Sequence, residues 1–283
     1  MKRNFNIYLT ISLLFILSSC SIAGSWIYER ADGYLADYFK EFANFSNEQK
    51  DEIDKVTKNY VDWFTSNELP IIRSVLVDLT NLNTSNADNL INKAYLNGQG
   101  LFERSNKYFE KSFVEFSKTL TDAQVEEIKN HFEEIQIKRE ISRKKEKSYS
   151  EEVVKNYIAG FRRLNFKLTK SQKEYVEANV KELKNTRSER AFFQEKWIEE
   201  FIKILKNRND QDFEKIMINH LRAFESLGDE EFQLNRKFNE QMSIRIISGV
   251  FSKASEKQIK GATRRIETYI TSINRILSNR SLD

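Results

Sequence analysis

One four-residue pattern occurs four times in this chain, as Ser46-Asn-Glu-Gln49, Thr121-Asp-Ala-Gln124, Thr169-Lys-Ser-Gln172 and Ser255-Glu-Lys-Gln258. Each has the form of a helix capping box. The hydroxyl accepts from the backbone N–H three residues on, and the Gln side chain reaches back to the N–H of the capping residue. Phe45, Leu120 and Leu168 precede three of the boxes and Ala254 the fourth. Val125 and Ile259 supply the apolar fourth helical residue that completes a hydrophobic staple; Lys50 and Lys173 stand there in the other two. Behind the boxes, apolar residues recur at steps of three and four. The series are Ile53, Val56, Tyr60 and Trp63 or Phe64; Val125, Ile128, Phe132 and Ile135; Val176, Val180 and Leu183; and Ile259, Ala262, Ile266, Tyr269 or Ile270, Ile273 and Leu277. That spacing is one face of an α-helix.

Little in the chain would interrupt such helices. Proline occurs once, at Pro70, and glycine eight times in 283 residues. A β-sandwich of this length would need a dozen or so turns, and the residues that make them are missing. Further helices are expected from Ile27 to Phe42, from Pro70 to Leu79, from about Asn86 to Phe116 with weak points at Gly98 and Gly100, and from Ser148 to about Phe166. The helix opened at Thr169 has a possible break near Asn185 to Ser188, and Leu227-Gly228-Asp229 reads as one helix end followed by a new cap. The fold class is therefore all-α, an elongated multi-helix bundle of eight to ten helices. It forms one domain or two similar halves, 26–147 and 148–283, with the first and third boxes opening the halves.

The N-terminus carries an address. Met1-Lys2-Arg3 is a basic start, Ile7 to Leu17 an apolar run, and Leu17-Ser18-Ser19-Cys20 its end. This is the layout of a secretory signal over 1–19. The run is too short for a spanning helix, which needs roughly 20 residues. Leu-Ser-Ser-Cys resembles the bacterial lipobox, which implies cleavage before Cys20 and acylation of its thiol and new N-terminus. Two or more acyl chains make a lasting anchor. Residues 20–25 would be the lipidated tether, and Ser21 to Ser25 reaches at most about 17 Å. By the usual sorting rule for such proteins, Ser21 rather than Asp favours the outer membrane over the inner one. Cys20 is the sole cysteine, so no intrachain disulfide and no cysteine metal cluster is possible.

Two family resemblances extend this reading. The lipobox, Tyr28-Glu-Arg-Ala-Asp32, Tyr34-Leu35, Tyr38-Phe39, the Ser46–Gln49 box, Trp63, Glu68-Leu69-Pro70 and Leu168-Thr169-x-x-Gln172 resemble, in order and spacing, a family of proteobacterial outer-membrane lipoproteins known only as a domain of unknown function. A typical member has His after the Trp, where this chain has Phe64. The resemblance implies an all-helical lipoprotein and supplies no activity. More locally, Leu120-Thr121-Asp-Ala-Gln124 and Leu168-Thr169-Lys-Ser-Gln172 look like the boxes of Spy/CpxP-type periplasmic chaperones, helical cradles that hold unfolded clients without ATP. This chain is about twice the length of a typical member of that group.

No motif announces catalysis. There is no Gly-rich phosphate loop, no Gly-x-Ser-x-Gly elbow and no His-Glu-x-x-His. The two histidines are His131, with Glu134 one turn on, and His220; both are expected to be structural or solvated rather than metal ligands. Acidic pairs such as Glu133-Glu134, Glu151-Glu152 and Glu199-Glu200 are expected on solvated faces. Of the aromatic residues between Leu101 and Phe116, those at Phe102, Phe109, Phe113 and Phe116 are expected in the core and Tyr108 off that stripe. The formal charge of +4 falls to about +2 without Lys2 and Arg3, which gives no argument for nucleic acid. A basic run (Lys138, Arg139, Arg143, Lys144, Lys145 and Lys147) is a candidate contact for an anionic surface, set against a solvated helix end. The expectation is thus a non-catalytic lipoprotein with no metal and no cofactor. It meets the bilayer through Cys20 and meets a protein or an envelope polymer through its helices. The alternatives are a client-holding chaperone and, from another class, an envelope hydrolase.

Overall fold

In a computed structural model of the chain, residues 28–144, 148–224 and 226–280 are described. The signal segment, Cys20, Lys145 and Lys147 lie outside the described residues, as do the side chains of Arg143 and Lys144. Among the described residues there are eleven α-helices and no strand. They are α1 (Ala31–Lys40), α2 (Asn47–Asn67), α3 (Leu69–Thr80), α4 (Ala87–Ser117), α5 (Asp122–Lys144), α6 (Tyr149–Arg163), α7 (Lys170–Val180), α8 (Arg187–Lys206), α9 (Phe213–Ala223), α10 (Glu230–Phe251) and α11 (Glu256–Arg280). The number exceeds the expected eight to ten because the helix opened at Thr169 ends at Val180 and a separate one starts at Arg187.

One expected helix is found and two local expectations are corrected. The helix over Gly98 and Gly100 is unbroken for 31 residues, because tertiary contacts outweigh a glycine's cost of roughly 1 kcal/mol. α6 stops at Arg163 rather than near Phe166, where Asn165 takes a left-handed φ of 55° and turns the chain. On α4 the buried stripe runs through Leu101, Ser105, Val114 and Ser117, while Phe109, Phe113 and Phe116 are only partly covered. Tyr108 is not off the core: it packs on Trp63 at 4.9 Å and on Tyr60 at 5.3 Å.

The core is three apolar clusters in series. One joins α1, α2, α4, α5, α8 and α9 through Ala36, Ile53, Val114, Val125, Leu205 and Met217. The second joins α1 to α4 with α11 through Tyr60, Phe64, Leu69, Leu101, Ile266 and Ile273. The third joins α6, α7, α10 and α11 through Phe161, Val176, Val180, Ile246, Val250 and Ala262, with Leu82 and Ala87 from before residue 147. Every cluster therefore draws on both sides of residue 147. The exchange is reciprocal: α11 packs along α3, and α5 packs along α8. The two long helices α4 and α10 lie antiparallel, Ser248 donating to Asp88 at 3.0 Å near one end and Glu240 lying near Tyr95 further along.

Candidate functional site

The four boxes do more than cap helices. All four form the reciprocal local bonds the sequence predicts: Gln49 N–H to Ser46 Oγ at 3.3 Å, Gln124 N–H to Thr121 Oγ1 at 3.2 Å, Gln172 N–H to Thr169 Oγ1 at 3.2 Å and Gln258 N–H to Ser255 Oγ at 3.3 Å. They then meet in pairs. Gln49 Nε2 donates to Gln124 Oε1 at 3.1 Å and Gln124 Nε2 returns to Gln49 Oε1 at 2.7 Å. Gln172 and Gln258 do the same, at 3.3 and 2.8 Å. Each side chain also donates to the carbonyl two residues before its partner's capping residue: Gln49 to Thr119, Gln124 to Asn44, Gln172 to Lys253 and Gln258 to Lys167. An amide is required for this. Glu would serve a solitary capping box equally well, but a carboxylate has no donor, and two of them would repel. The boxes are thus structural joints, with their amide groups fully engaged.

Other residues singled out from sequence are placed as follows. Lys138 pairs with Glu134 at 3.0 Å on an exposed face of α5. His131 packs on Phe42 at 4.4 Å, the two rings tilted by 47°. His220 stacks on Trp197 at 4.5 Å; its Nε2 lies 3.0 Å from the Trp197 carbonyl, and Trp197 Nε1 donates to the His220 carbonyl at 3.0 Å. Burial pushes the His220 pKa down, so the ring is neutral at neutral pH. Among the described residues no group of His, Cys, Asp and Glu could hold a metal ion.

Sequence reasoning missed two ionic clusters. The first is built on Glu68. It is 1% exposed, and Arg104 grips both its oxygens at 2.6 and 2.7 Å. That fork ties the α2–α3 junction to α4 and raises the Arg104 pKa. It also explains Gly100, where a Cβ would sit 2.9 Å from an Arg104 terminal nitrogen.

The second cluster lies between the first and third apolar clusters. The C-terminal half of α8 enters the first, and the C-terminal half of α10 the third. Their N-terminal halves instead carry Arg187 and Arg190, and Arg236 and Glu240. Tyr149 and Glu152 approach from α6 and Tyr95 from α4. Arg187 pairs with Glu152 at 2.8 Å and lies over the Tyr149 ring at 4.9 Å. Arg236 is 3.7 Å from Glu240, whose carboxylate also lies near Tyr95. Burial and the neighbouring carboxylate push the Tyr95 pKa up. Glu152 is therefore held in an ion pair, not on the solvated face expected of it. The sequence signal was present: two arginines in the first turn of a helix, one turn apart, stand where the helix dipole disfavours cations. Pattern alone does not say what they face.

The fold and these joints define an all-α, multi-helix protein built around paired capping boxes, with a guanidinium-rich seam between its cores. Among the described residues no helix is long and apolar enough to cross a membrane. Residues 41–233 match a family of unknown function, DUF6279, and the chain belongs to that family. No curated protein and no solved structure matches.

Proposed function

We propose that this protein is a non-catalytic lipoprotein anchored in the outer membrane, a helical binding module facing the periplasm. The observation that carries the reading is Leu17-Ser18-Ser19-Cys20 behind a basic start and an apolar run. Its geometry is compatible with anchorage. Tyr28 is already part of the body, its hydroxyl 2.7 Å from Thr65 Oγ1 beneath α2. Only seven residues separate Cys20 from Tyr28, so the eight steps between them put the body at most about 27 Å from its lipid. Mass spectrometry of the N-terminal peptide from membranes tests this: acylated Cys20 is expected, and Cys20→Ser moves the protein out of the membrane fraction. An unmodified Cys20 on cytosolic protein overturns it.

Exposed apolar side chains favour a second reading, a holder of unfolded clients. Phe192 on α8 and Leu234 and Phe238 on α10 present their side chains to solvent. The box glutamines are occupied with one another, so client contact would fall to such residues. The full chain in detergent should then slow the aggregation of a denatured substrate, and Leu234→Ser with Phe238→Ser should abolish the effect. No suppression at several-fold excess eliminates this reading.

A further inference from the structure

α3 breaks the rule that a helix on the surface of a domain turns a polar face to water. Its inner stripe is Leu69, Ile72, Leu76 and Leu79, packed in the second apolar cluster. Its outer side carries Pro70, Ile71, Ser74 and Val77, all exposed, with Val75 half-buried at the edge. Arg73 and Asp78 are its only ionisable residues, and both are engaged sideways. Arg73 donates to Asn274 of α11 at 2.5 Å, and Asp78 accepts from Lys93 of α4 at 2.6 Å. The neighbouring α11 shares the same cluster and obeys the rule, with Lys257, Lys260, Arg264 and Glu267 exposed. A helix apolar on both sides is normally covered on both.

The outer side continues into an open groove of about 320 Å³ between α3 and α4. Pro70, Ile71, Ser74 and Val75 line it, with Asp78, Lys93 and Asn97 at its polar rim. The groove lies close to where the chain leaves for its anchor. Tyr28 is held beneath α2 by its bond to Thr65. α2 runs on into α3 through Glu68, whose N–H donates to the Phe64 carbonyl and whose carbonyl accepts from Ile72, both at 2.9 Å. Ile71 is thus six helical residues past Thr65, about 9 Å along the axis. That is well inside the reach of the tether.

We propose that the outer side of α3, with the groove beside it, lies against the bilayer that holds Cys20 and so fixes how the body stands on its membrane. This rests on the lipoprotein reading. Pro70, Ile71, Ser74 and Val77 carry no charge, so seating them at the boundary of headgroups and acyl chains desolvates no ion. Each apolar Å² covered contributes about 25 cal/mol. Lys93, more than half exposed at the groove's rim, has the form that suits a lipid surface, its stem on apolar groups and its ammonium towards phosphates. The patch is too small for a protein partner, since a stable interface covers about 800 Å² on each side. A tethered face needs no such area. The lipid holds it at high effective concentration, so a weak contact is enough.

The test uses the protein purified from membranes and reconstituted in vesicles of phosphatidylethanolamine and phosphatidylglycerol. A thiol for an environment-sensitive fluorophore is placed by Ser74→Cys or, as the control, by Ile216→Cys at an exposed apolar position on α9. At position 74 the emission should shift to the blue. Brominated acyl chains should quench it at least about twofold more than at position 216, as for groups seated about 5–10 Å into the boundary. Adding Ile71→Asp and Val77→Asp should bring position 74 down to the level of 216, with the protein still on the vesicles. Circular dichroism checks the fold of that variant; should it unfold, the comparison of 74 with 216 decides alone. Mass spectrometry of Cys20 separates the two readings. Acylated Cys20 with equal quenching at both positions overturns this proposal only, and an unmodified Cys20 overturns both. A blue shift at position 74 without quenching by brominated lipid means that protein covers the face, which also overturns it.

Discussion

The two glutamine joints obey one bonding rule and sit in different settings. The Gln49–Gln124 joint is closed on all sides. Both side chains are buried, and Asn44 N–H donates to Glu127 at 2.7 Å across its rim. Arg208, only 7% exposed at the end of α8, donates to the Leu120 carbonyl at 2.7 Å and to Asp122 at 2.6 Å. The Gln172–Gln258 joint repeats the amide exchange, but Ser255 is exposed and Gln258 only half-buried. The difference teaches that a local motif fixes geometry, whereas its contribution to stability depends on what covers it. A hydrogen bond matters most where its loss would leave a buried group unsatisfied.

The comparison can be broken most forcefully at Arg208. Arg208→Ala strips the Leu120 carbonyl of its side-chain donor and Asp122 of its ion-pair partner. It should lower the unfolding free energy by about 3 kcal/mol in a urea titration. A cost below about 1 kcal/mol would show that the first joint is no better supported than the second. Next in size is Gln124→Glu. It preserves the capping acceptor but removes the donor to Asn44 and Gln49, and should cost about 2 kcal/mol. The same exchange at Gln258, where water can reach, should cost about 1 kcal/mol. Equal losses at the two positions would erase the contrast. The smallest effect separates the lobes by pH. His220 belongs to the lobe of the first joint, and its pKa is lowered by burial. The unfolded chain therefore takes up this proton first as pH falls. The stability it contributes is complete above about pH 6.5 and is lost as pH falls from there through the lower folded value. Comparing urea midpoints at pH 7.5 and 5, His220→Gln should show a shallower decline than the wild type. The difference should be under about 1 kcal/mol, because the ring is only half withdrawn from solvent. An unchanged slope would remove the pH contrast.

How much of this was legible follows from the range of each interaction. The start of every boxed helix could be read because a capping box is complete within four residues. So could the end marked by Gly228, since a left-handed residue is a local requirement. The gap between α7 and α8 was visible only as a possibility, because Asn185 to Ser188 breaks the apolar periodicity without a proline or glycine to settle it. The aromatic face of α4 was misjudged for a different reason. Its partners, Trp63 and Tyr60 on one side and Phe201 on the other, come from 45 to 88 residues away and select which turns of a long amphipathic helix are covered.

The order of helices, their caps and the all-α class were determined by the chain itself, through contacts between residues three and four apart. Tertiary structure alone decided that glutamines 75 and 86 residues apart in sequence would clasp, that Glu68 would be sealed under Arg104, and that Arg187 would meet Glu152 from another helix. Such meetings depend on how separate helices cross. Helical periodicity places a side chain on a face but does not say which other face will meet it.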